Sequence, residues 1–136
     1  MAFPIAATQR RLTQESVLIT DMYLPVPVIA KVHGIATAAG CQLVATCDLA
    51  IAGQSARFAT SGINTGLFCS TPAVALSRNV AAKRAFEMLA FGEAVDGRTA
   101  LAWGLANRAV PAGQVDETAA ALAAALATRA PNSIRK

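Results

Sequence analysis

The chain has 136 residues, the length of one domain with a modest core. It is 54% hydrophobic, but its apolar runs are broken by Lys31, His33, Asp48 and Arg57, so no stretch of roughly 18 or more apolar residues is available to span a bilayer. The formal net charge of +4 is scattered over residues such as Arg10, Arg11, Arg57, Arg78, Lys83, Arg84, Arg98 and Arg108, with few aromatics between them, which argues against a nucleic-acid partner.

Leu12, Val17, Leu18, Ile19 and Met22 recur at helical spacing from about Thr8 to Tyr23, and Pro25 and Pro27 forbid continuation. "VIAKV", Val28 to Val32, is β-branched and short, and reads as a buried strand. Gly34 and Gly40 then bracket a turn kept narrow by the small residues Ala36 to Ala39, where the backbone can approach a neighbour closely. Cys41, Leu43, Val44 and Cys47 follow a helical pattern from Gly40 to Thr46, and "DLAIA", Asp48 to Ala52, reads as the next strand. A strand, helix and strand in this order predict a parallel crossover and an α/β layer.

Further on, a short strand is expected around Arg57 to Ala59, followed by the glycine- and hydroxyl-rich loop "TSGINTGLFCSTP". Pro72 suits the first turn of a helix running toward Arg78, and Ala82 to Ala90 continues in helical periodicity up to Gly92. Asp96 is a natural N-cap for a helix through Trp103, with Gly104 where a left-handed C-terminal cap belongs. "LANRAV" is extended and closed by Pro111. Val115 to Thr128 is an alanine-rich helix with Val115, Leu122 and Leu126 along one side. This divides a single domain into a leading helix (1–24), a core (25–111) and a C-terminal helix and tail (112–136).

Cys41, Cys47 and Cys69 lack paired CxxC spacing, and His33 is the sole histidine. A reduced compartment and no metal are expected. The opening "MAFPIAATQRRL" has two arginines and no acid before Glu15, as organellar transit peptides do, but it is short and has no secretory apolar core. The expectation is cytoplasmic, with the mitochondrial matrix as the alternative.

Three ordered blocks, "PVPVIAKVHGIATAAGCQLVATCDLAIA", "FATSGINTGLF" and "EMLAFGEAVDGRTALAWGLANRAVP", together resemble the crotonase (enoyl-CoA hydratase/isomerase) superfamily. The resemblance covers about Pro25 to Pro111 closely and the flanks less so. It implies an α/β fold, the crotonase-type spiral of ββα units, here truncated at both ends. It also implies acyl-CoA thioester ligands, a trimeric or hexameric homo-oligomer, a role in lipid metabolism, and no cofactor beyond the coenzyme A of the substrate.

By the same resemblance the Ala39 N–H, beside Gly40, is an oxyanion donor at a helix start, and Gly34, Ala36, Gly40, Leu67 and Phe68 line the substrate. The competing reading of the turn is that its small residues merely let strand and helix pack closely. The family's second oxyanion donor belongs to an upstream strand-loop with no counterpart here. Its two catalytic glutamates map onto Gln42, which cannot exchange a proton near neutral pH, and Gly62, which has no side chain. Losing such acid–base help costs on the order of 10²–10⁴-fold per group, so ordinary hydratase activity is doubtful. The alternatives are a non-catalytic assembly or regulatory CoA-binding subunit, or an inactive fragment.

Among other candidates, Asp48 is expected to cap or pack, Glu87 and Glu93 to be solvated or salt-bridged, and His33 to make a turn hydrogen bond. Cys69 and Ser70 lack a convincing base for nucleophilic work. Leu67 and Phe68 are expected as pocket wall or core, and Trp103 as packing.

Overall fold

The computed structural model describes residues 24–129. Save for Leu24, the expected leading helix lies outside the described residues, as does 130–136 of the C-terminal tail. The chain enters through β1 (Ile29–Val32) and β2 (Ile35–Thr37), then α1 (Ala39–Thr46), β3 (Leu49–Gly53) and β4 (Arg57–Ala59). A 3₁₀ turn (Ser61–Thr65) leads to α2 (Ser70–Asn79) and α3 (Ala82–Phe91). The remaining elements are β5 (Val95–Asp96), α4 (Gly97–Trp103), β6 (Arg108–Val110), a second 3₁₀ turn (Ala112–Gln114) and α5 (Val115–Ala127).

The strands form two three-stranded sheets, ordered β1-β3-β6 and β2-β4-β5. The β1–β3, β3–β6 and β2–β4 pairs are parallel, and β4–β5 is antiparallel. Each ββα unit therefore contributes one strand to each sheet, and the parallel crossover expected between β1 and β3 is present. The segment Ile35–Thr37, expected as a turn, is instead the strand β2. Three residues are too few to show a period, and pairing with Arg57, Phe58 and Ala59 of β4 decides their conformation. The glycines said to permit close approach are not crowded, since a Cβ at Gly34 or Gly40 would meet nothing within 4 Å.

β3 is buried on both faces, as an all-parallel sheet requires. Ile51 packs on one face with Val115 and Ala119 of α5, joined by Ile29, Val110 and Leu122. Ala50 and Ala52 turn the other way, into the main core with Phe58, Leu76, Met88 and Ala100. Polar clasps extend the ladders. Asp48 Oδ2 accepts from the Val28 N–H at 2.7 Å, a structural role, and Asn107 Oδ1 accepts from the Ala50 N–H at 2.7 Å while the Asn107 N–H returns to the Ala50 carbonyl at 2.8 Å.

The expected caps are present. Asp96 Oδ1 accepts from the Thr99 N–H at 2.8 Å, and Gly92 and Gly104 end α3 and α4 in left-handed conformation with φ of 64° and 85°. At Gly97 a Cβ would collide with the Gly53 carbonyl oxygen, so α4 starts directly against the end of β3. Backbone cannot yield as a flexible side chain does. Gly97→Ala is therefore expected to lower unfolding free energy by about 1–3 kcal/mol, whereas Gly113→Ala, where a Cβ meets nothing within 4 Å, should stay within roughly 0.5 kcal/mol of the parent in urea denaturation.

The bond from the Thr99 backbone N–H holds the Asp96 carboxyl below the usual carboxylate range. A depressed folded pKa gives stability that is present above the unfolded value and lost as pH falls through the folded one. Asp96→Asn, which still caps, is expected to leave stability at pH 7 nearly unchanged and to flatten its decline below about pH 4 in pH-resolved denaturation.

Candidate functional site

β2 and β4 run in parallel and end together at Thr37 and Ala59. The segments leaving them therefore start side by side at the carboxyl ends of the strands, the edge where open α/β sheets usually hold ligands. One segment carries Ala38, Ala39, Gly40 and Gln42, and the other Thr60, Ser61 and Gly62. The side chains Thr37 Oγ1 and Ser61 Oγ join them at 3.0 Å, and buried Thr60 anchors the second segment by donating to the Met88 carbonyl at 2.8 Å.

Ala38 is the unusual residue. Its N–H donates to the Ala59 carbonyl at 2.9 Å and its own carbonyl accepts from the Gln42 N–H at 3.0 Å, with φ 50° and ψ −117°. Among the described residues it is the one non-glycine with positive φ, a conformation that stores strain in an L-residue and is concentrated at functional sites. Because Gln42 makes the first bond of α1, the N–H groups of Ala39, Gly40 and Cys41 have no partner within the helix. Ala39 and Gly40 are half-buried, and a Cβ at Gly40 would meet nothing within 4 Å.

The other expected site residues are placed as follows. Gln42 is half-buried; its carbonyl accepts from Thr46 Oγ1 at 2.8 Å, and its side-chain amide has no hydrogen bond among the described residues. At Gly62 a Cβ would lie 2.7 Å from both the Cys69 Sγ and the Leu67 carbonyl oxygen. Leu67 and Phe68 are 69% and 58% exposed, so they are not core. Ala36 is in the core, and Gly34 lies at the far end of β2, roughly 10 Å of strand away. His33 Nε2 meets Asp116 Oδ2 of α5 at 3.3 Å, beside the Lys31 Nζ–Asp116 Oδ1 pair at 2.6 Å, so it bonds across elements and not within a turn. The Lys31 hydrogen bond holds the Asp116 carboxyl below its ordinary value. Glu87 is paired with Arg84 at 2.8 Å.

Cys41 is fully buried, and burial, with Cys69 nearby, pushes its thiol up to about 12. It packs as a small apolar residue and has no thiolate character near neutral pH. No group of three or more His, Cys, Asp or Glu side chains suited to a metal ion occurs among the described residues, and no described helix is long and apolar enough to cross a membrane. Sequence reasoning missed Ala38, because an alanine in a left-handed turn leaves no compositional trace.

The family model described as enoyl-CoA hydratase/isomerase matches residues 5–136. The chain belongs to that family. The mitochondrial enoyl-CoA hydratase domain-containing protein 3 of Rattus norvegicus is 54% identical over 104 residues, covering 76% of this chain and 35% of the relative. The Homo sapiens protein of the same name is 52% identical over 104 residues, covering 76% and 34%. In solved structures, an enoyl-CoA hydratase of Mycobacterium smegmatis superposes with a TM-score of 0.84 at 54% identity, over 89% of this chain and 47% of that one. The human domain-containing protein 3 superposes with a TM-score of 0.83 at 46% identity, over 89% and 48%.

These matches establish the crotonase fold for the chain and its likeness to the branch of domain-containing protein 3. The chain spans about a third of the length of these curated relatives and about half of the solved chains. The relatives' names read mitochondrial, and the cytoplasmic expectation finds no support in them.

Replacing Ala38 by glycine relieves a left-handed strain of about 1–3 kcal/mol against an unfolded-state cost of roughly 0.4–1 kcal/mol. Ala38→Gly is expected to raise stability by about 1 kcal/mol in chemical denaturation.

Proposed function

We propose that this crotonase-family chain binds an acyl-CoA thioester at the turn leading into α1, with the Ala39 N–H donating to the thioester oxygen. The observation that carries the reading is the Ala39 amide itself: it starts a helix, is outside the helix ladder and follows a strained residue that fixes its direction. A preorganised donor at a helix start stabilises developing negative charge on an acyl oxygen. The reading requires no resident cofactor, because coenzyme A arrives as part of the substrate.

Proton handling is the weak half of the site. The Gln42 amide can orient a carbonyl or a water through hydrogen bonds but cannot shuttle a proton. Gly62 has no side chain, and its tight turn against Leu67 and Cys69 has no room for one. Binding and polarisation therefore dominate over hydration. The Gly62 turn also favours a second reading, in which the chain is part of an assembly or regulatory subunit that keeps the thioester groove without turnover. In either case the family likeness supports a role in lipid metabolism and a homo-oligomer, trimeric or hexameric, and the relatives' names support a mitochondrial location over the cytoplasm.

Calorimetric titration with crotonyl-CoA and with free CoA tests the binding, and loss of the enoyl absorbance tests turnover. Crotonyl-CoA is expected to bind more tightly than CoA, with hydration on the order of 10²-fold or more below that of a two-glutamate family member assayed alongside. Gln42→Glu is not expected to restore it. Robust hydration that disappears in Gln42→Ala would instead make Gln42 the centre of catalysis, and indistinguishable affinities for crotonyl-CoA and CoA would remove the thioester contact.

A further inference from the structure

A concavity of about 310 Å³ lies between α3, β5 and α4, lined by Glu87, Met88, Phe91, Glu93, Val95 and Trp103 among others. None of the residues of the α1 turn contributes to it. Met88 is almost fully buried, whereas Phe91 is 65% exposed, so the hollow has an apolar floor and an aromatic rim. Two carboxylates line it. Glu87 is held by Arg84 at 2.8 Å, and Glu93 has no hydrogen bond or ion pair among the described residues.

The Arg84 guanidinium also lies over the Trp103 ring, 4.9 Å from its centroid. One cation of the protein thus already uses both attractions the hollow offers, an indole face and a carboxylate. Two carboxylates against one guanidinium leave room for a second positive charge in a chain whose overall charge is +4. The same carboxylates repel phosphates, so this hollow does not suit the coenzyme A group of a thioester.

We propose that this cleft is a binding site for a small organic cation of the alkylammonium class, held between the Trp103 and Phe91 rings with Glu93 as counter-charge. Aromatic faces attract such cations, most strongly where water is partly excluded. A volume of about 310 Å³, at the lower end of ligand pockets at roughly 300–1,000 Å³, admits a head group of the size of choline. Arg84 acts as the incumbent, and the ligand competes with it for the indole. The inference is independent of the thioester reading.

Trp103 is the sole tryptophan of the chain, so its emission reports the cleft directly. Choline chloride titrated at constant ionic strength is expected to change that emission saturably, and the neutral isostere 3,3-dimethylbutanol to do so at least tenfold more weakly. Glu93→Gln should raise the choline dissociation constant roughly two- to fivefold, while Arg84→Ala should lower it by a similar factor. The opposite signs separate competition at the cleft from general damage, and circular dichroism checks that both variants remain folded. Equal responses to choline and its isostere, no response to 100 mM choline, or weakening by both substitutions would overturn the proposal.

Discussion

The site depends on one residue serving two hydrogen-bond systems. The Ala38 N–H completes the β2–β4 ladder by donating to Ala59, and its carbonyl starts α1 by accepting from Gln42. A strand and a helix have incompatible dihedral angles, so the change must occur within this residue, and it does so at a φ of 50°. The strain follows from joining a parallel strand to a helix with no loop between them. The absence of a loop also fixes the direction of the Ala39 donor, because neither neighbouring element can rotate without breaking its own bonds.

The packing around this junction keeps the two helices that follow it in step. Asn79, at the end of α2, donates to the Ala45 carbonyl near the end of α1 at 2.7 Å and to Ala75 of its own helix at 2.9 Å. Cys41 in the first turn of α1 is in turn close enough to Cys69, just before the start of α2, for Cys69 to help raise the Cys41 thiol. The helices therefore lie alongside one another with both starts at the candidate site. Cys41, Val44 and Ala45 of α1 and Ala75 of α2 are buried members of one core cluster, and three of the four are small. Larger residues would separate the helix starts.

How much of this was legible in the sequence depends on how local each cause is. The ends of α3 and α4 were readable because capping is short-range chemistry: Gly92, Asp96 and Gly104 do in the structure what their residue types favour anywhere. β2 was not, because Ile35–Thr37 is a strand only through its pairing with β4. Leu67 and Phe68 look like core by residue type, yet they cross the surface between the tight Gly62 turn and the start of α2. His33 was assigned to its own turn because its partner, Asp116, lies far along the chain on α5. The family could be read from the ordered blocks, but the Ala38 geometry and the crowding at Gly62 exist only after the strands have paired.

That crowding bears on what position 62 can hold. The Gly62 carbonyl accepts from the Leu67 N–H at 3.0 Å and from Thr65 Oγ1 at 2.9 Å, while Gly66 folds back on Ile63 at 3.0 Å in a left-handed conformation. The loop has closed on itself across the space a side chain at position 62 would need, and Cys69 fills what remains. A carboxylate introduced there has to break these bonds and displace a half-buried thiol before it can reach any ligand. The missing side chain and the closed turn are one structural condition, so a change confined to position 62 meets resistance from residues 65 to 69 as a group. The α1 turn is subject to no such constraint, because the space above Gly40 is open. The two halves of the candidate site thus differ in kind: one offers helix-start N–H groups outside the helix ladder, and the other is filled by its own loop.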